Sequence, residues 1–376
     1  MSRLSQDQSL QLDSIRALSA LVVLVGHTNQ TLLLPTLKSG SVLVGFFTQL
    51  AVMVFFVLSG FLIGKSVCNN ATNNDGFLLS QYVRDRAIRL YPPLVAAILI
   101  MAALYFLAPC VFPSGTHKLL SFPETRFVRP EFTLAAKDAI GALFFVNGFQ
   151  TITPLVNGPL WSLPFEAWYY VLAAAIFVWP KRRLTAVSLV LATMAVTYKE
   201  GLFIMLAPIW FAGFGLAMLH HKAPEMKNRL FRPMFLALSL GTAASVALVV
   251  FADPLGNGIW LDRMNHFRLI SGLWFACYLS LILGGEMTFT KLFHSHASYS
   301  YTLYVIHFPI MLFVLGATQP FIYGSITKSA LVCIATIAAI IPISMAVARI
   351  FEHKQLIRSA IKFAIRDKSL NSRQQP

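Results

Sequence analysis

Apolar runs of about the length that crosses a bilayer recur along almost the whole of this chain, and they leave room for little else. A helix needs roughly 20 apolar residues to span the hydrocarbon core. By that measure spans are expected near 14–34, 42–64, 92–112, 160–180, 184–199, 201–220, 233–252, 267–284, 298–316 and 328–350. In lipid every backbone polar group must be paired within the chain, so such runs form helices. Composition agrees: 57% of the 376 residues are hydrophobic and only 12% are charged, far below the roughly 25% charged residues of soluble domains. The expected fold is an all-α, polytopic transmembrane bundle of about ten spans. It divides into an N-terminal stretch 1–11, a membrane domain 12–352 and a basic tail 353–376. The first run is too long for the apolar core of a cleaved leader and is expected to stay as a helix.

Loop charge sets the topology. The formal net charge is +15, and basic residues of membrane proteins concentrate in cytoplasmic loops. The segment 133–150 is also apolar but short, and it carries Lys137 and Asp138. If it crossed, Lys181-Arg182-Arg183, the stretch 220–232 and the basic tail would all lie outside. Left uncrossed, as a re-entrant or interfacial piece, it puts all three in the cytosol with Arg3 and the Arg84 to Arg89 segment, and both termini there too. The basic charge is thereby accounted for without nucleic acid as a partner. In the tail, Leu356, Ile357, Ala360, Ile361, Ala364 and Ile365 recur at helical spacing, which predicts an interfacial helix on anionic membrane lipid.

Ionisable residues at membrane depth are costly and normally face protein or a water-filled cavity. Arg16 and His27 lie eleven residues apart in the first span. At about 100° per residue they share one stripe, roughly 16 Å apart along the axis. Asp13 lies on that stripe as well. A neutral imidazole is able to accept a proton from a hydroxyl. Glu166 sits in Leu160-Trp161-Ser162-Leu163-Pro164-Phe165-Glu166, six residues inside its span, while His27 lies seven residues from the end of its own. That shared depth predicts a carboxylate orienting the histidine, with Trp161, Ser162 and Tyr170 supporting. The plainer reading of Glu166 is a group satisfying helix backbone or Trp donors.

Arg84, Arg86 and Arg89 precede Leu90-Tyr91-Pro92-Pro93. Arg86 and Arg89, three apart, share a helix face and suit bidentate phosphate contacts. Phe55 to Phe61 includes Ser59-Gly60, which reads either as a tight helix-packing face or as a polar notch in a channel. His307, beside Pro309, reads as a packing or hydrogen-bonding residue. The four cysteines are scattered without metal spacing, and no metal site is expected.

Taken together, these motifs resemble the acyltransferase 3 family. They are Arg16 and His27 with ten residues between, the Phe-Phe-Val-Leu-Ser-Gly-Phe run, Arg86-x-x-Arg89 before Leu-Tyr-Pro, Leu-Trp-Ser-Leu-x-x-Glu at 160–166 and Tyr-x-x-x-Leu-Tyr-Val-Ile-His-Phe-Pro at 299–309. The match runs from about Leu12 to Glu352. Family members are integral membrane O-acyltransferases of carbohydrates and related acceptors. The resemblance implies His27 as general base or acyl carrier, Arg16 as its necessary companion and Glu166 as the partner of the histidine. It also implies Arg86 and Arg89, with Arg84 and Ser59 nearby, as residues that handle acyl-CoA. Acyl-CoA, with acetyl the expected group, would be a co-substrate, and no permanently bound cofactor is expected. The acceptor would be an extracytoplasmic carbohydrate or glycolipid, the location a bacterial inner membrane, and the partners other envelope-biosynthesis proteins. Ala167 stands where many members carry a second carboxylate.

Intramembrane Arg, His and Glu also suit a proton-coupled transporter or flippase of a glycan precursor, or a non-catalytic subunit of a polysaccharide export complex. The sequence shows no paired halves with matching interrupted helices, which many carriers have.

Overall fold

A computed structural model describes residues 4–37, 41–119, 129–223, 229–252 and 259–352. Eleven helices make up the described chain: α1 Gln6–Leu37, α2 Ser41–Asn73, α3 Leu79–Val111, α4 Ala136–Leu143, α5 Ser162–Val178, α6 Arg183–Thr197, α7 Gly201–Lys222, α8 Phe231–Ala252, α9 Ile259–Leu283, α10 Ser300–Ile322 and α11 Ile326–Phe351. No sheet forms among the described residues. Among the described residues nine helices are long and apolar enough to cross a membrane, α5 and α10 together with their 3₁₀ lead-ins Leu155–Trp161 and His294–Tyr299.

The expected span at 184–199 is the 15-residue α6. At 1.5 Å per residue it covers about 22 Å, less than the roughly 30 Å hydrocarbon core. Contacts hold it at both of its ends. Before its start, Lys181 lies against Gly76, just beyond α2. Near its finish the Val196 carbonyl accepts from Gln150, in the loop ahead of α5, at 2.8 Å. Its Leu184 is 86% exposed, as a lipid-facing residue would be. The 133–150 segment yields only α4, eight residues long and too short to cross. The tail and its amphipathic stretch lie outside the described residues.

α3 begins at Leu79, earlier than the expected 92, and so carries Arg84, Arg86 and Arg89 on the helix itself. Its prolines 92, 93 and 109 are accommodated inside. A helical proline strips the carbonyl four residues earlier of its donor. Three such carbonyls are re-paired by side chains. His117 donates to Tyr105, four before Pro109, at 3.1 Å. Asn147 donates to Leu160, four before Pro164, at 3.2 Å. Asn157 donates to Val305, four before Pro309, at 2.8 Å. The last two tie the lead-in of α5 to its surroundings, and this lead-in forms one wall of the site.

α2 is central and packs on α7, α1 and α9. Its contact with α7 depends on two glycines facing each other's backbone. A Cβ on Gly60 would stand 2.0 Å from the Trp210 carbonyl oxygen, and one on Gly213 would stand 2.0 Å from that of Val57. Such small-residue contacts let helices approach where lipid offers no hydrophobic driving force between them. Around this contact the fully buried Phe56, Tyr169 and Trp210 fill the interior.

Candidate active site

The starts of α1, α3 and α10 and the end of α11 converge at one end of the bundle. Arg89 pairs with Glu352 at 3.3 Å, and its guanidinium lies 5.7 Å from the Tyr301 ring centre. Glu352 also accepts from Thr302 at 2.5 Å. Arg16 donates to Asp13 at 3.0 Å and to the Ala297 carbonyl at 3.3 Å. Arg86 donates to Ser66 at 3.2 Å and lies over Tyr82. These arginines line a cavity of about 480 Å³ with Ser59, Ser162, Glu166, Tyr170 and Tyr304. Arg84 is exposed and is not among its lining residues.

Glu166 does not pair with His27. One carboxylate oxygen accepts from Ser59 at 2.7 Å and also from the Tyr170 hydroxyl. Trp210 in turn donates to Ser59 at 3.2 Å. The two residues line different cavities, Glu166 the larger and His27 the smaller. α1 continues to Leu37, three residues past its expected end, and α5 is preceded by a seven-residue 3₁₀ segment with Asn157 at φ −145°, ψ 65°.

His27 lies at the other end, on a cavity of about 160 Å³ lined also by Gln30, Thr31, Gln49, Val52, Arg129, Gly158, Pro159, Trp161, Tyr304 and Phe308. Val52 and Tyr304 line both cavities and form the partition between them. Beside Trp161, the Ser162 hydroxyl donates to Tyr304 at 2.7 Å, and Tyr304 donates to the Pro159 carbonyl at 2.9 Å.

The orientation of His27 comes from its own helix and from α10. Directly after His27 and Thr28, α1 loosens into a π-helical stretch, Asn29–Leu33. Such stretches are rare and often sit at functional sites. Gln30 presents its Oε1 to His27 Nδ1 at 3.0 Å. A carbonyl oxygen accepts, so Nδ1 carries the proton and Nε2 keeps its lone pair. His307 stacks on the ring, 5.6 Å between centroids and 13° between planes, while Phe308 meets it edge-on. The Nδ1 of His307 is fixed by the carbonyls of Leu303 and Tyr304, at 3.1 and 2.8 Å. Its Nε2 is buried without a hydrogen-bond partner.

Of the residues singled out from the sequence, Arg16, Arg86, Arg89, Ser59, Ser162, Glu166 and Tyr170 line the larger cavity, and His27 and Trp161 the smaller. Asp13 holds Arg16, and His307 backs His27. The sequence reading missed Gln30, Arg129, Arg268 and Glu352. Gln30 and Arg268 carry the same signal as His27, a polar group inside an apolar run. Arg268 donates to Gln49 and Asn265, both at 2.8 Å, and lies 5.4 Å from the Trp161 ring centre. Arg129 lies outside the membrane-spanning helices, and burial lowers its pKa from the ordinary guanidinium value.

A family model described as an acyltransferase domain, that of the acyltransferase 3 family, matches residues 9–347. An O-acetyl transferase of Shigella phage Sf6 is 24% identical over 327 residues, covering 85% of this chain and 89% of the phage protein. No solved structure matches significantly. The chain, with nine helices among its described residues long and apolar enough to cross a bilayer, belongs to the acyltransferase 3 family of membrane acyltransferases.

Proposed function

We propose that this protein is an O-acyltransferase that moves an acyl group, acetyl being the expected one, from acyl-CoA to a hydroxyl of a carbohydrate or glycolipid. The observation that carries the reading is the pair of cavities meeting at Val52 and Tyr304, one basic and one holding the free Nε2 of His27. The larger cavity takes the donor. Arg86 and Arg89 suit the phosphates and Arg16 the deeper part of the donor. Positive-inside loop charge supports a cytosolic position for this end, where acyl-CoA is made, and an outer position for the His27 end, the membrane in this reading being a bacterial inner membrane.

In the reaction, His27 Nε2 takes the proton of the acceptor hydroxyl as its oxygen attacks the thioester carbonyl. The tetrahedral oxyanion collapses, the carbon–sulfur bond breaks, and the imidazolium returns the proton to the departing thiolate. Gln30 holds Nδ1–H and so keeps the base in the right tautomer throughout, the part an acid plays in serine-protease triads. Glu166 acts on the donor side: it fixes Ser59 and Tyr170 in the cavity wall and sits near Arg86 and Arg89.

The test is transfer in detergent, with no membrane gradient. Purified protein given labelled acetyl-CoA and a glycan extract from its host's cell surface is expected to yield labelled ester and free CoA in equal amounts. Absence of CoA release under all acceptor conditions, with gradient-dependent glycan movement in vesicles, would support a carrier instead.

A further inference from the structure

Among the described residues, the smaller cavity holds positive charge with no carboxylate beside it. Arg129 and Trp161 line it, and Arg268 lies against the Trp161 ring, its hydrogen-bond partners among the described residues being the neutral Gln49 and Asn265. No Asp or Glu is among its lining residues, and among the described residues no carboxylate lies within ion-pairing distance of Arg129. The Arg129 Nε is buried without a partner, and its Nη2 lies against Gly158, where a Cβ would come to 3.3 Å. Gln30 Nε2 and Thr31 Oγ1, on the same wall, are buried and unpartnered too. A partly buried guanidinium with an unpartnered buried donor is a natural ligand for a carboxylate or phosphate.

We infer that the acceptor is anionic: the group carrying the reactive hydroxyl also bears a carboxylate or a phosphate, which Arg129 binds while Gln30 and Thr31 hold neighbouring oxygens. This rests on the acyl-transfer reading for the word acceptor, but the anion site stands on the cavity's own charge. Arg129 is thus a specificity residue. It selects an acidic sugar or a sugar phosphate and leaves the proton transfer to His27.

The experiment is equilibrium binding to the purified full-length protein by calorimetry, with glucose, glucuronic acid and glucose 1-phosphate as probes. At least one anionic probe is expected to bind about tenfold or more tighter than glucose, the worth of one charge-assisted contact. Arg129→Gln should abolish the preference and Arg129→Lys keep part of it, both melting near the parent temperature. Glucuronic acid preferred over the phosphate points to an acidic sugar, and the reverse to a sugar phosphate or lipid-linked phosphate. Equal binding of all three, no saturable binding of any, or a preference that survives Arg129→Gln overturns the inference. So does an equal fall in kcat for neutral and anionic acceptors in Arg129→Gln, which would assign Arg129 to the developing oxyanion. Anion-selective binding without acyl transfer would instead contradict the proposed reaction and leave the anion site standing.

Discussion

His307 stacks face to face on His27, its ring centroid 5.6 Å away, with its own Nδ1 held by two carbonyls of α10. A flat, immobile ring behind a base restricts the base to one plane. If stacking is its main task, His307→Phe, which keeps a flat ring, should retain more activity than His307→Ala. Loss of the ring should cost roughly tenfold to a hundredfold in kcat through misplacement of His27, with the KM for acyl-CoA little changed. Steady-state kinetics on both variants checks this, and equal losses would assign the work to the orphan Nε2.

Gln30→Leu removes the acceptor that fixes the His27 tautomer. The imidazole could then place its proton on Nε2, where it cannot act as a base. Transfer is expected to fall by about 10²-fold, within the range general-base catalysis contributes, and the melting temperature to stay near the parent's.

Arg86→Ala with Arg89→Ala should act on donor binding. Each charge-assisted contact is worth about 1.5–3 kcal/mol, so the double variant should raise the KM for acyl-CoA by at least about tenfold and alter kcat less. The KM series and direct binding of a CoA analogue measure it; unchanged donor affinity would remove these arginines from the donor site.

Gly60→Ala puts a methyl group 2.0 Å from the Trp210 carbonyl oxygen, between two backbones that have no slack. Overpacking of this kind costs about 1–3 kcal/mol or more. A lower melting temperature in detergent, or loss of folded yield, is the expected result. Ala at the exposed Gly201, where a Cβ meets nothing within 4 Å, is the control.

How far the sequence discloses this architecture differs from element to element. Hydropathy locates the spans because lipid leaves the backbone no alternative to helix, but their ends depend on tertiary contacts. α3 extends back to Leu79 because Arg86 and Arg89 find partners in Ser66, Tyr301 and Glu352. Ser59-Gly60 serves both of the uses read from it: Gly60 packs on α7 while Ser59 lines the cavity. The stripe arithmetic for Arg16 and His27 gives two inward-facing residues, but it cannot show that Val52 and Tyr304 separate their cavities. Gln30 rather than Glu166 stands beside His27, where a π-helical stretch follows the histidine and a 3₁₀ lead-in precedes α5. Neither has a hydropathy signature, since both change rise and twist without changing which residues are apolar.

The central claim is that Nε2 of His27 is the base for acyl transfer. It is tested most directly by the rate at which purified, folded His27→Ala protein moves labelled acetyl from acetyl-CoA to a glycan acceptor in detergent. A fall of about 10²- to 10⁴-fold, with acetyl-CoA still bound as in the parent, is the predicted result. Transfer at the parent rate would contradict it.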